Sequence, residues 1–207
     1  VDTKIEQLSK KQELLGEYKK GLIQKIFNQA IRFKADDGSD YPDWEEKKLG
    51  EYLTHKSKKN RGVEVDLVLS VSNKKGFITQ DEQFDGYQVA SKDLSNYKIV
   101  KKGEYAYNPS RINVGSIARL KNYEIGIVSP MYVIFKLNNL DSAFFDNLYQ
   151  THFFKHLIKV GCSGSVRDSL NFNDMADFLI TIPSSPEQTK IANFLSSIDN
   201  KIEQIGK

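Results

Sequence analysis

Side chains able to form directed hydrogen bonds are densest in Asn108-Pro109-Ser110-Arg111-Ile112-Asn113-Val114-Gly115-Ser116. This stretch puts two Asn, two Ser and one Arg into nine residues, straight after the aromatic run Tyr105-Ala106-Tyr107. Arginine presents a fork that matches guanine, asparagine matches the edge of adenine, and serine ties down phosphate oxygens. The same residues also suit a Pro-Ser turn whose Asn side chains bond their own backbone. The segment His55-Lys56-Ser57-Lys58-Lys59-Asn60-Arg61 carries five potentially cationic groups in seven residues, and Lys74-Lys75 before Gly76 forms a smaller basic turn. Both suit phosphate clamping; a solvated loop is the plain alternative. A third loop, Gly161-Cys162-Ser163-Gly164-Ser165-Val166-Arg167, sets small donors and an Arg just after a predicted helix.

The formal charge of the 207 residues is only +3, but it is unevenly spread. Residues 55–121 hold 13 Lys/Arg against 7 Asp/Glu, whereas residues 1–54 hold 10 against 11 and residues 122–207 hold 7 against 9. The positive charge gathers in the middle of the chain, where a phosphate backbone could use it.

Catalytic and metal signatures do not assemble. There is no Gly-x-x-x-x-Gly-Lys loop for ATP and no Gly-x-Gly-x-x-Gly. Asn108-Pro109 is followed by Ser and Arg, where an amino-methyltransferase needs a second Pro and an aromatic residue. Glu45-Glu46-Lys47 offers a Glu-x-Lys pair, but Pro42-Asp43 stands too close to share a metal with it. His152 and His156 are spaced four apart with Cys162 nearby, yet no fourth ligand is evident. On a continuous helix both histidines share a face with Phe145, Leu148, Tyr149 and Val160, which predicts core or interface histidines. No cofactor, no metal site and no catalysis by this chain are expected.

Two stalks must carry whatever lies between them. Val1-Asp2-Thr3-Lys4-Ile5-Glu6-Gln7-Leu8-Ser9-Lys10 is repeated near the other end as Ile198-Asp199-Asn200-Lys201-Ile202-Glu203-Gln204-Ile205-Gly206-Lys207, with six of ten positions identical. Val1, Ile5, Leu8, Leu15, Leu22 and Ile26 follow steps of four and three, with Gln12 and Lys19 filling the missing places. Ile191, Leu195, Ile198, Ile202 and Ile205 keep the same stepping. Such a narrow apolar seam has to find another helix. The first helix, continued to Phe33, would be about 50 Å long. The second starts with Ser185 as N-cap, Pro186 at the first helical position and Gln188 closing a capping box.

Residues 34–44 read as a polar linker into a new domain. Strands are expected at Leu67–Val71, Tyr105–Tyr107, Ile125–Val128, Tyr132–Phe135 and Phe178–Ile182, and a helix from Asp141 to Val160. With 23 aromatic residues (Phe 12, Tyr 10, Trp 1), a well-anchored core is expected. The fold class is α+β: a mixed α/β domain flanked by long coiled-coil-forming helices. No apolar run is long enough for a bilayer, so no membrane is expected. The single Cys162 fits a reducing cytosol, so the expected location is cytoplasmic.

The passage Pro183-Ser184-Ser185-Pro186-Glu187-Gln188-Thr189-Lys190-Ile191-Ala192-Asn193-Phe194-Leu195, running into Ile198-Asp199-Asn200-Lys201-Ile202, resembles the junction between a target recognition domain and a conserved helix in specificity subunits of type I restriction–modification systems. Tyr41-Pro42-Asp43-Trp44-Glu45-Glu46-Lys47-Lys48-Leu49-Gly50 is similar to that family's domain opening, and Tyr107–Ser116 to its mid-domain segment. The chain resembles the second half of such a subunit.

The resemblance implies a conserved helix and linker over 1–36, a target recognition domain over 37–184, and the start of a distal conserved helix over 185–207. It implies a non-catalytic reader of one half of a bipartite site in double-stranded DNA. Its partners would be modification subunits, which methylate, and restriction subunits joined through the complex. Self-association through the helices is a further expectation. On this reading residues 45–183 insert loops into the major groove. Lys56, Lys58, Lys59, Arg61, Lys74 and Lys75 hold phosphates, while Asn108, Ser110, Arg111, Asn113, Ser165 and Arg167 lie at or near bases. The competing expectation is a coiled-coil scaffold whose globular domain binds a protein. A third, a nuclease or methylase acting alone, predicts turnover with Mg²⁺ or S-adenosylmethionine.

Overall fold

The structure is a computed structural model that describes residues 2–79, 93–162 and 169–206. The chain divides into two compact units, one made of Val1–Glu46, Leu140–Lys155 and Thr181–Lys207, the other of Lys47–Asn139 and His156–Ile180.

The first unit is a helical assembly of α1 (Asp2–Phe27), α2 (Ser142–Leu148) and the long C-terminal helix α5 (Ser185–Ile205). From Gln12 onward the seam predicted from the repeat is where α1 and α5 meet, whereas Ile5 and Leu8, earlier on the same seam, are exposed. Gln12 donates through Nε2 to the carbonyl of Ile202 at 3.3 Å, and Lys19 Nζ meets both carboxylate oxygens of Asp199 at 2.6 and 2.7 Å. As residue numbers rise along α1 they fall along α5, so the pair is antiparallel. Both polar interruptions of the heptad thus make cross-helix hydrogen bonds. Nearer the other end Ile23, Ile26, Ile191, Leu195 and Ile198 are buried. Phe27 packs against Trp44 and Phe144 with ring centroids 6.2 and 5.0 Å away.

Helix α1 stops at Phe27, not Phe33. Gln29 takes a left-handed φ of 61°, and the Asn28 side chain accepts from Ala30 N–H at 3.1 Å, so the chain turns out of the helix. The following segment is held in place. Arg32 donates to Glu187 through Nε at 2.9 Å and Nη2 at 3.1 Å, and to the Pro42 carbonyl at 2.9 Å. Trp44 Nε1 donates to the same Glu187 at 3.1 Å, and that carboxylate is fully buried. Lys190 closes the turn further out, on the Lys34 carbonyl and Asp36 at 2.7 Å each. Residues 34–44, expected as a linker, are pinned at both ends. A buried charge costs heavily unless paired, and here one carboxylate gathers three parts of the unit.

Two local expectations need correction. The N-cap of α5 is Ser184, without a side-chain hydrogen bond, rather than Ser185. Gln188 makes no capping box; its amide donates to the Pro183 carbonyl at 2.9 Å and accepts from Asp141 N–H at 3.0 Å. The helix expected from Asp141 to Val160 is two helices, α2 and α3 (His152–Cys162). Asp141 does cap the first, accepting from Phe144 N–H at 2.8 Å. Buried Thr151 divides them: its hydroxyl donates to the Leu148 carbonyl at 2.8 Å and accepts from Phe154 N–H at 3.0 Å, capping α3. A short polar side chain placed to compete for backbone groups favours such a cap over helix interior. The break also takes His152 and His156 off the face of Phe145, Leu148 and Tyr149, and both are exposed.

The second unit is built on antiparallel strands. Strands β2 (Leu53–Lys56), β9 (Val133–Leu137), β6 (Tyr105–Tyr107) and β7 (Ile117–Arg119) form a four-stranded sheet in the order β2-β9-β6-β7. Two further antiparallel pairs accompany it: the hairpin of β3 (Leu69–Ser72) with β4 (Gly76–Thr79), and β5 (Lys98–Lys101) with β8 (Ile125–Val128). Strand β1 (Glu45–Lys48) pairs with β10 (Leu179–Ile182), and α4 (Phe172–Ala176) is a short helix. Val71, Phe77, Val100, Ala106, Leu120, Val128 and Ile134 form one apolar core, and Val65, Tyr97, Ile99 and Ile127 a second. Tyr105 stacks on Phe135, its cross-strand partner, at 5.1 Å and 8°. Gly126 is required by packing, since a Cβ there would strike the Leu69 side chain.

Candidate nucleic-acid interface

Strand register decides which loops meet. Lys56 on β2 lies opposite Ile134, and Tyr107 on β6 lies opposite both Val133 and Ile117. The C-terminal ends of β2 and β6 and the N-terminal ends of β7 and β9 therefore share one end of the four-stranded sheet. From that end leave the basic loop after Lys56, the loop Asn108–Ser116 and the turn before Tyr132.

The loop Asn108–Ser116 is a built structure. Ile112, 1% exposed, and Ser116, whose hydroxyl donates to the Val71 carbonyl at 3.0 Å, anchor it. Asn108 Oδ1 accepts from Ser110 N–H at 3.1 Å, so that oxygen supports its own backbone, as the turn reading anticipated. Its Nδ2 lies 4.0 Å from the Met131 sulfur. A 3-10 turn over Ile112–Val114 ends at Gly115, whose φ of 98° suits a residue without Cβ. Ser110, Arg111 and Asn113 are left exposed. Leu170 N–H donates to the Pro109 carbonyl at 3.1 Å. Ser165 and Arg167 lie outside the described residues.

The turn holding Lys74 and Lys75 joins the same group. The Asn73 carbonyl would stand 3.7 Å from a Cβ on Gly115, and Ser72 Oγ accepts from the Lys74 and Lys75 N–H groups at 3.3 and 3.4 Å. Both lysines are exposed.

The basic loop is anchored by Asn60, which is 1% exposed. Asn60 Nδ2 donates to the Val65 carbonyl at 2.7 Å and Oδ1 accepts from Val65 N–H at 3.2 Å. Lys58, Lys59 and Arg61 surround an open cavity of about 480 Å³. Lys59 Nζ reaches Asn96 at 3.2 Å, while Lys56 is half-buried on its strand. Lys98 is brought in by the fold: its Nζ donates to the Tyr132 carbonyl at 2.7 Å. Burial, then the neighbouring Lys59 ammonium, holds the Lys98 amine below its ordinary value. His55 stacks on Phe172 at 4.6 Å and 24°. Burial, then Lys98, keeps its imidazole below the usual 6.5.

The described residues of the sequence-predicted set therefore gather at one end of the four-stranded sheet, Lys56 on the last position of β2, the others in the loops leaving that end or, for Lys74 and Lys75, in the β3–β4 turn beside Gly115. Sequence reasoning passed over Asn60, Asn73, Lys98 and Met131. Lys98 comes in only through the fold, since it stands 34 positions from Tyr132 and 39 from Lys59. Among the described residues no group of three His, Cys, Asp or Glu could hold a metal ion, and Cys162 is buried and outside any disulfide. No helix among them is long and apolar enough to cross a membrane.

An α+β unit offering a cationic rim and polar loop tips, joined to antiparallel helices, defines a class of specificity domain. Residues 41–207 match the family described as the type I restriction modification DNA specificity domain, and the chain belongs to that family. It is similar in structure to an S subunit of a type I restriction–modification system from M. genitalium, at a TM-score of 0.61 and 15% identity over 99% of this chain and 52% of that one. It is also similar to the HsdS subunit from Thermoanaerobacter tengcongensis, at 0.54 and 14% over 99% and 50%. A third likeness, at 0.53 and 14% over the same shares, is to a chain solved for the complex assembly and conformational transition of a type I R-M system. The chain spans about half the length of these proteins. The likeness is one of fold and agrees with the flanking helices and mixed domain expected.

Proposed function

We propose that this chain binds duplex DNA sequence-specifically and reads one half of a bipartite target for a type I restriction–modification complex. The observation that carries the reading is the convergence of the Lys56–Arg61 and Asn108–Asn113 segments at one end of the β2-β9-β6-β7 sheet, with the Lys74–Lys75 turn against the second of them. Residues 37–184 act as the recognition module, between the helical segments 1–36 and 185–207. Lys56, Lys58, Lys59, Arg61, Lys74 and Lys75 hold phosphates; exposed Ser110, Arg111 and Asn113 approach base edges, with Asn108, Ser165 and Arg167 beside them. A rim of cations around polar tips suits this division, because phosphate contacts set register and base contacts set sequence.

The chain itself performs no chemistry; methylation and cleavage belong to modification and restriction subunits that it directs, in the cytoplasm. The helices bind other helices, in a modification subunit or a second copy.

A salt titration of duplex binding tests the reading. Six phosphate contacts give a log–log slope on the order of −5. Removing the side chains of Lys58 and Lys59 should flatten that slope by about 2. A slope near zero would point instead to the scaffold reading, in which the globular domain binds protein.

A further inference from the structure

The tip of the basic loop holds a valine in a conformation that valine avoids. Val63 has φ 51°, in the left-handed region where a β-branched side chain crowds its own backbone. It is also 51% exposed, so half of its apolar surface finds no burial in return. The surroundings fix it there. Its N–H donates to the Asn60 carbonyl at 2.8 Å, while Asn60 N–H donates to the Tyr97 carbonyl at 2.9 Å. Asn60 also bonds Val65 in both directions, and Val65 and Tyr97 are core residues. Both sides of the tip are tied to the core, so the residue between cannot relax.

Stability alone would place Gly or Asn at such a position. The chain has a glycine one place earlier, at Gly62, yet the left-handed position carries Val63. Single exposed apolar residues are ordinary on surfaces; a strained one, held between Gly62 and Glu64 on a cationic loop, is not. Strain that the surroundings enforce concentrates at functional positions.

We propose that Val63 is a specificity-determining contact whose isopropyl group meets the 5-methyl of a thymine in the major groove, while Lys58, Lys59 and Arg61 hold the flanking phosphates. This rests on the duplex-DNA reading above. The thymine methyl is the apolar group that base edges offer in that groove. A rigid branched side chain can discriminate it from a bare pyrimidine edge, which glycine at the same place could not.

The intact protein carrying this chain is used to enrich a randomised duplex library, and each thymine of the enriched site is then replaced by deoxyuridine. Wild-type binding should fall about fourfold at one or two thymines, the loss expected for one buried methyl. Val63→Gly should bind the thymine and uracil duplexes alike and unfold at no lower temperature than wild type, since it releases strain. Val63→Ala, which keeps the backbone constraint, should also lose the preference and serves if the glycine variant does not fold. A wild-type protein indifferent to every deoxyuridine, or variants retaining the full thymine preference, would overturn the assignment to Val63. Failure to enrich any sequence would instead overturn the DNA reading itself.

Discussion

Arg111 and Glu187 show two fates of a charged side chain in this protein. Arg111 is exposed beside Ser110 and Asn113, on a backbone fixed by Ile112 and Ser116. Arg111→Ala should lower discrimination at one or two base pairs by about 1–3 kcal/mol each, read by competition between single-base variants of the target. Uniform weakening on all sequences would make it a phosphate contact. Glu187 is wholly buried against Arg32 and Trp44. Glu187→Ala takes the buried carboxylate from Arg32, which is 27% exposed and keeps the Pro42 carbonyl, so the cost should sit at the lower end for a broken buried pair, about 3 kcal/mol by urea unfolding. A smaller residue-scale effect belongs to His55. Its folded value lies below 6.5, so the unfolded chain takes up the proton first. Stability present above that value should drain as pH falls through it, and His55→Gln should remove that part of the decline in urea midpoints measured at about pH 7.5 and 5.5. An unchanged decline in the variant would assign it to other groups.

Elements divide sharply in how legible they were. Tyr105–Tyr107 and Ile125–Val128 match their strands residue for residue, because short aromatic or β-branched runs bounded by turn residues leave little choice. The heptad seam was legible down to its polar positions, Gln12 and Lys19, since a 3.5-residue stepping admits one burial solution. Strands β1, β2, β4, β5 and β7 were not anticipated. Glu45–Lys48 and Leu53–Lys56 are charged and half-exposed, and pairing across the fold, not local preference, makes them strands. The break at Thr151 was equally hidden, because an apolar period continues across it. Packing at this scale predicts that Gly126→Ala, which drives a methyl into Leu69, costs about 1–3 kcal/mol. Ile198→Ala in the helix seam should cost about 2–4 kcal/mol. The exposed-side partner of the Lys19–Asp199 pair can go for under ~1 kcal/mol, as Asp199→Ala would show.

At the scale of the molecule, the candidate interface was legible as composition and not as geometry. The basic middle third and the Asn/Ser/Arg loop were visible in the chain, but nothing in their spacing said that residues 56–61 and 108–113 would leave one end of the same sheet, with the turn of residues 74–75 beside them. That follows from the order β2-β9-β6-β7, which places segments distant in sequence side by side. Met131 enters the same region just before β9, and Lys98 through its bridge to Lys59 and its bond to the Tyr132 carbonyl. The most direct test of the account is competition binding by the intact protein between a duplex enriched from a random library and a scrambled duplex of equal length and composition, at near-physiological salt. A preference on the order of 10³-fold or more for the enriched duplex is expected of a specific reader. Equal binding to both duplexes would contradict the account.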